Sequence, residues 1–194
     1  MSNVAKYIGL DVHKATIAVA VAEGGPGGEV RFVGTVANDD DEVRKLVKRL
    51  ATPGATLSFC YEAGPCGYGL QRLLIKLGQP CIVIAPSMMP RRPGDHVKTD
   101  RRDAMTLARL LRAGELTAIW VPDEAHEAVR DLIRARRSAQ EDATAAKQTV
   151  RSFLLRHDRR FEGRSAWTKM YWRWLSEQRF DYPHQQLAFE ELQK

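Results

Sequence analysis

A chain of 194 residues, 44% hydrophobic and 28% charged, has room for one full core and an appendage. It has no apolar run of about 18 residues that would cross a bilayer, so no membrane partner is expected. Met1 to Lys6 lacks a signal-peptide pattern, and Cys60, Cys66 and Cys81 have no metal-ligand spacing, which points to reduced thiols in a cytoplasmic protein. The net charge of +6 is uneven: residues 1–85 carry +1, residues 86–160 carry +5, and residues 161–194 are balanced. A polyanion is the expected partner of the middle segment.

In chain order, Tyr7 to Val12 reads as a buried strand ending at the carboxylate of Asp11, and Thr16 to Ala22 as a second β-rich run. Gly24 to Gly28 is a turn, and Glu29 to Val36 pairs back as a third strand. Asn38 with Asp39 to Glu42 starts a helix, whose apolar face is Val43, Leu46, Val47 and Leu50. Thr56 to Tyr61 is a fourth strand ending at Glu62, Gly67 to Leu77 a helix closed by Gly78, and Cys81 to Ile84 a fifth strand. Pro86 to Val97 is a basic loop, and Asp100 opens a helix through Leu111 that ends near Gly114. The order β-β-β-α-β-α-β-α predicts a mixed five-stranded sheet with flanking helices, the ribonuclease-H-like (RuvC-like) order, over residues 1–121.

Past Pro122 the pattern becomes helical, and residues 122–194 are expected to form a coiled-coil-like extension. Asp123 caps a helix to about His157 in which Val129, Leu132, Arg136, Ala139, Ala143, Ala146, Val150 and Phe153 follow a heptad. This seam suits a homo-oligomer or a partner helix; a helix lying on its own domain is the alternative. Trp167, Met170, Tyr171 and Trp174 form a second apolar stripe, read as core or oligomer contact rather than a stacking platform. Leu187 to Leu192 looks helical up to the terminus.

Four carboxylates carry the chemistry. Asp11 and Glu62 end strands that this order makes neighbours, and Asp100 and Asp103 stand three apart on one helix face. Each has a local explanation: a turn preference for Asp11, a place before the Gly64-Pro65 turn for Glu62, an N-cap and helix-dipole role for Asp100 and Asp103. Converged, they would repel unless a hard divalent cation, Mg²⁺ or Mn²⁺, neutralised them. Arg91, Arg92, Lys98, Arg101 and Arg102 flank the acidic positions as candidate phosphate contacts, and Arg130, Arg134, Arg137, Lys147 and Arg151 extend that basic surface along the long helix. His13 beside Asp11 reads as an exposed strand-end histidine, with a neighbour of the metal site as the alternative, and Ser87 has no histidine at a spacing that would make it a nucleophile.

The blocks Tyr7-Ile8-Gly9-Leu10-Asp11-Val12-His13-Lys14, Tyr61-Glu62-Ala63-Gly64-Pro65-Cys66-Gly67-Tyr68 and Lys98-Thr99-Asp100-Arg101-Arg102-Asp103-Ala104 together resemble the three acidic blocks of the DEDD transposases of bacterial insertion sequences, the one-hundred-and-ten group. The resemblance implies that Asp11, Glu62, Asp100 and Asp103 are the catalytic, Mg²⁺-binding positions of a DNA recombinase that cleaves and exchanges strands. It also implies a guide (bridge) RNA as a partner besides DNA, and a multimer in which this domain works with a C-terminal domain bearing a nucleophilic serine. No such serine-bearing domain is found before Lys194, and the chain is expected to carry the DEDD half alone. An actin-like kinase would need a second lobe that this length does not provide. A non-catalytic module that binds nucleic acid or a partner helix is the alternative that stays open.

Overall fold

The computed structural model describes residues 4–25, 28–90 and 99–194. The middle of the expected Gly24–Gly28 turn, most of the basic loop, and with it Arg91, Arg92 and Lys98, lie outside these residues. The chain divides into two compact units, Met1–Val121 and Pro122–Lys194.

The first unit is built on five strands: β1 (Val4–Val12), β2 (Thr16–Glu23), β3 (Val30–Ala37), β4 (Ala55–Glu62) and β5 (Cys81–Ile84). They lie in the order β3-β2-β1-β4-β5. β1–β2 and β2–β3 are antiparallel, whereas β1–β4 and β4–β5 are parallel. This is the mixed sheet that the element order predicts. β3 carries a bulge where Val19 faces Gly34 and Ala20 faces Phe32; Gly34 there takes a φ of 134°, a conformation that favours glycine.

Strand alternation sorts the sheet into two faces. On one, Ile8, Leu10, Ile17, Val19, Val21, Leu57, Phe59 and Tyr61 pack with Val43, Leu46 and Leu50 of α1 (Asp40–Leu50) and with Leu73 and Leu74 of α2 (Gly69–Lys76). Asp39, rather than Asn38, caps α1 by accepting the Glu42 N–H at 2.9 Å. At the other end of α1 the Leu50 carbonyl accepts from the buried Lys6 ammonium at 2.9 Å, where the helix dipole favours a cation.

The opposite face is lined by small residues. Ala18, Ala20 and Ala22 of β2 pack against Ala104 and Ala108 of α3 (Asp100–Ala113), and Leu107 reaches Cys60 and Ile84. Gly9 of β1 lies directly under α3: a Cβ there would collide with the Ala104 carbonyl oxygen and the Ala108 amide nitrogen. The far end of α3 is tied down by Arg112, whose guanidinium donates to the Glu23 carbonyl at 3.2 Å and to that of Gly28. Burial pushes the Cys81 thiol up to about 12 and raises that of Cys60 as well, so both are protonated at neutral pH; Cys66 is exposed, and all three are free.

The second unit begins with α4 (Glu124–Arg156), capped by Asp123 through the His126 N–H at 2.8 Å. The predicted heptad divides here. Val150 and Phe153 are buried, but Val129 and Leu132 are 58% and 71% exposed. The aromatic stripe divides too. Trp167 precedes α5 (Lys169–Glu177), Met170 is exposed, and Tyr171 and Leu175 enter a small core with Val150, Phe153, Leu154 and Phe189 of α6 (Pro183–Glu191).

Because the contact at Gly9 is with backbone, Gly9→Val should displace α3 rather than be absorbed by a rotamer change. Overpacking of this kind costs about 1–3 kcal/mol. Urea unfolding followed by circular dichroism should show that loss, and an unchanged midpoint would mean α3 does not sit on β1 this closely.

Candidate functional site

The alternation that sets the core also aims the acids. Leu10 and Tyr61 are register partners facing α1 and α2, so the next residues, Asp11 and Glu62, turn to the α3 face from neighbouring parallel strands. Glu62 is paired in register with Ile84, which packs on α3. The helix that crosses this face starts at Asp100. Thr99, not Asp100, is its N-cap, its hydroxyl accepting the Arg102 N–H at 3.3 Å. The Asp100 carboxylate is therefore not used as the cap.

What converges is a cluster of three side chains, Asp11, His13 and Asp100, whose nearest ligand atoms all lie within 4.8 Å of one another. His13 Nε2 stands 3.2 Å from Asp11 Oδ2 and 3.5 Å from Asp100 Oδ1. The side chains are 20%, 51% and 65% exposed for Asp11, His13 and Asp100, so the cluster opens to solvent. Glu62 and Asp103 are not members of this cluster. Glu62 is half-buried at the end of β4, and Asp103 is half-buried one turn further along α3.

His13 is exposed, as the sequence suggests, and it also stands beside both carboxylates, the alternative that the sequence left open. Its position is fixed by the short link between β1 and β2. The His13 N–H donates to the Thr16 carbonyl at 2.8 Å. Asn38, at the end of β3, donates from Nδ2 to the His13 carbonyl at 2.7 Å and from its backbone N–H to the Ala15 carbonyl at 3.0 Å. Asn38 thus holds the histidine loop rather than starting α1.

Two carboxylates with one imidazole suit a hard or borderline divalent cation: oxygen donors satisfy Mg²⁺, and an added nitrogen donor is well tolerated by Mn²⁺. Asp11 and Asp100 would hold such an ion, with His13 as a third donor. The remaining candidates separate by environment. Arg101 and Arg102 are exposed in the first turn of α3, with the Arg101 guanidinium 5.6 Å from the Phe32 ring centroid. On α4, Arg134 pairs with Asp131 at 3.6 Å and Arg137 with Glu141 at 2.8 Å. Arg130 and Arg151 are exposed, and the Lys147 ammonium stands 5.6 Å from the Trp167 ring.

A family model for transposases of the DEDD, IS110 type matches residues 8–157. The chain is 55% identical over 186 residues to a Sinorhizobium fredii (strain NBRC 101917 / NGR234) protein that bears a transposase name, y4qE, covering 96% of this chain and 48% of that protein. It is 37% identical over 177 residues to the transposase for insertion sequence element IS1533 of Leptospira borgpetersenii, covering 90% of this chain and 51% of that protein. The chain spans about half the length of these curated relatives. Among solved structures, Thermus thermophilus RuvC aligns with a TM-score of 0.38 and 11% identity, over 60% of this chain and 99% of that chain. The same enzyme in complex with Holliday junction substrate aligns with a TM-score of 0.38 and 10% identity, over the same shares of each chain. The fold assignment rests on the strand order and register.

If Asp11, His13 and Asp100 form the cation site, Asp11→Asn should abolish Mn²⁺ binding in isothermal titration. Asn38→Ala, which frees the histidine loop, should weaken it by about tenfold, the low end for loss of a group that orients a ligand. Equal affinity in native and Asp11→Asn proteins would remove Asp11 from the site.

Proposed function

The chain belongs to the DEDD transposases of the IS110 type, and from that premise we propose that it carries the divalent-cation-dependent, DNA-cleaving half of an insertion-sequence transposase. The observation that supports this reading is the convergence of Asp11, His13 and Asp100 at the open end of β1. Glu62 and Asp103, on the same α3 side, complete the acidic set around a phosphodiester. Mg²⁺ or Mn²⁺ bound there would polarise the phosphate and stabilise the charge that develops as a strand is cut. The protein's own part is to hold the acids at fixed separation and the phosphate backbone beside them. Asp11 and Glu62 are fixed by strand register, and Asp100 and Asp103 by a helix seated on glycine and alanine. Arg101 and Arg102, with Arg91, Arg92 and Lys98 shortly before them in the sequence, would hold the strand by its phosphates.

In this reading the substrates are DNA duplexes exchanged during transposition, in the cytoplasm of a bacterium, and a structured guide RNA is the second nucleic-acid partner. Arg130, Arg134, Arg137, Lys147 and Arg151 extend the phosphate-binding surface along α4. The apolar residues that α4 exposes, Val129, Leu132 and Ile133, serve self-association through a coiled-coil seam. The competing reading, a non-catalytic binding module, predicts nucleic-acid binding that is indifferent to the cation.

Fluorescence anisotropy with a labelled duplex at several salt concentrations separates the two. Affinity should fall steeply with salt, and Arg101→Ala with Arg102→Ala should flatten the log–log slope by about two, one for each phosphate that is no longer neutralised. Mn²⁺ should raise duplex affinity about tenfold in the native chain and leave Asp100→Asn unaffected, because phosphate oxygens complete the ion's shell. Equal stimulation of both proteins, or of neither, would leave the binding-module reading standing. Light scattering tests the seam. The native chain should form dimers or larger species, and Leu132→Glu should return it to monomer; a monomeric native chain at high concentration would sink the self-association claim.

A further inference from the structure

The second unit holds a cavity of about 570 Å³, within the roughly 300–1,000 Å³ that small-ligand pockets occupy. Arg151 of α4 lines it together with Arg159, Arg160 and Arg164 of the connection to α5, while Tyr171 and Trp174 of α5 supply an aromatic wall. No described lining residue is a carboxylate. Arg160 leans on Asp158 at 3.3 Å, and Arg159 donates to the Arg179 carbonyl at 3.2 Å. Among the described residues no ion pair engages Arg151 or Arg164. A cluster of guanidinium groups around one cavity without a matching acid is repulsive by itself and is relieved by an anion.

The wall is built rather than incidental. Gly163 leaves room for the Phe161 ring, which a Cβ at that position would strike. Phe161 in turn meets Tyr171 edge-on, with centroids 5.0 Å apart, and Trp174 at 5.4 Å. Trp167 holds a φ of 65°, a left-handed conformation that is costly for a bulky residue. It is kept there by ring contacts to Tyr171 at 4.9 Å and to Trp172 at 5.3 Å. Trp174 remains half-buried, with part of its surface accessible at the cavity.

The chemistry names the occupant. Guanidinium groups recognise phosphate in paired hydrogen bonds, and an indole face takes a flat base by stacking. A duplex keeps its bases stacked inside and offers only phosphate; an unpaired nucleotide offers both. We propose that this cavity takes an unpaired nucleotide of single-stranded nucleic acid, its phosphate on Arg151 and Arg164 and its base against Trp174. The proposal rests on the reading of the chain as a nucleic-acid-binding protein, yet it uses none of the metal-centre residues.

The test is a titration of the whole chain, with chelator present, following intrinsic tryptophan fluorescence. The ligands are four-nucleotide single strands of RNA and of DNA, an abasic DNA strand with the same phosphates, and a duplex of equal phosphate count. Base-bearing single strands should quench the fluorescence and bind about tenfold more tightly than the abasic strand and the duplex. The tighter of RNA and DNA identifies the source of the nucleotide. Arg151→Gln with Arg164→Gln, both at exposed positions, should cost about tenfold, whereas Trp174→Phe keeps a stacking ring and should retain most of the affinity. Asp100→Asn should bind like the native chain, so a failed metal centre and a failed cavity give different results. Abasic binding as tight as base-bearing binding, or an Arg151/Arg164 variant that binds like the native chain, overturns the proposal.

Discussion

The close approach of α3 to the sheet is the constraint on which the candidate centre depends. A helix on a sheet of valines and isoleucines stands off by the depth of two side-chain layers. Here the contact is made by Gly9, Ala18, Ala20 and Ala22 on one side and Ala104 and Ala108 on the other, so α3 comes down nearly to the backbone. Its first residue then arrives at the end of β1, where Asp100 meets His13 and Asp11. A larger residue at any of these positions would lift the helix, and the carboxylates it carries would move away from those on the strands. Packing and chemistry are coupled at the same few side chains.

That coupling explains a division of labour on β1 and β2. Their even-odd alternation gives one face of Ile8, Leu10, Ile17, Val19 and Val21, which contributes apolar burial against α1 and α2, at about 1.5–3 kcal/mol for each large side chain. The other face gives up that burial for proximity. The acids at the strand ends, Asp11 and Glu62, sit on the proximal face and are only partly buried.

The element order and the placement of the four acids at element ends were legible because each rests on a short-range pattern: strand alternation, a helix face, a glycine after a helix. Asp11, Glu62, Asp100 and Asp103 could be placed at strand and helix ends on those grounds alone. The place of His13 was less legible, because it comes from a position one residue past β1 and from Asn38, 25 positions away, bonding its carbonyl. Asn38 itself reads as a helix start, and only the structure shows that Asp39 takes the capping role and leaves Asn38 for the loop. The alternation of alanine with isoleucine and valine in Thr16 to Ala22 was a readable sign that a helix lies close on one side. The aromatic stripe reads as core, and Tyr171, with Trp167 and Trp174 packed against it, is core; the heptad leaves its partner open. Periodicity identifies a face but not its partner, so one end of the α4 seam is buried in a small aromatic core and the other is exposed.

The excess positive charge in the middle of the chain also takes a different form once side chains are placed. A count over residues 86–160 suggests one basic stripe. Along α4, however, Arg134 and Arg137 are engaged by Asp131 and Glu141 of the same helix. Such exposed pairs contribute about 0–1 kcal/mol and mainly neutralise local field. They also suit a helix whose exposed stretch must rely on its own propensity and i,i+3 or i,i+4 pairs. Other cations have no carboxylate partner among the described ion pairs: Arg136, Lys147 and Arg156 along α4, Arg101 at the first turn of α3 beside the acids, and Arg151 and Arg164 around the aromatic cavity. On the proposed reading, the charge open to a nucleic acid is what the chain's own acids leave unneutralised, and at Arg101 and at Arg151 and Arg164 a carboxylate cluster or an aromatic face supplies a second reason for a strand to bind.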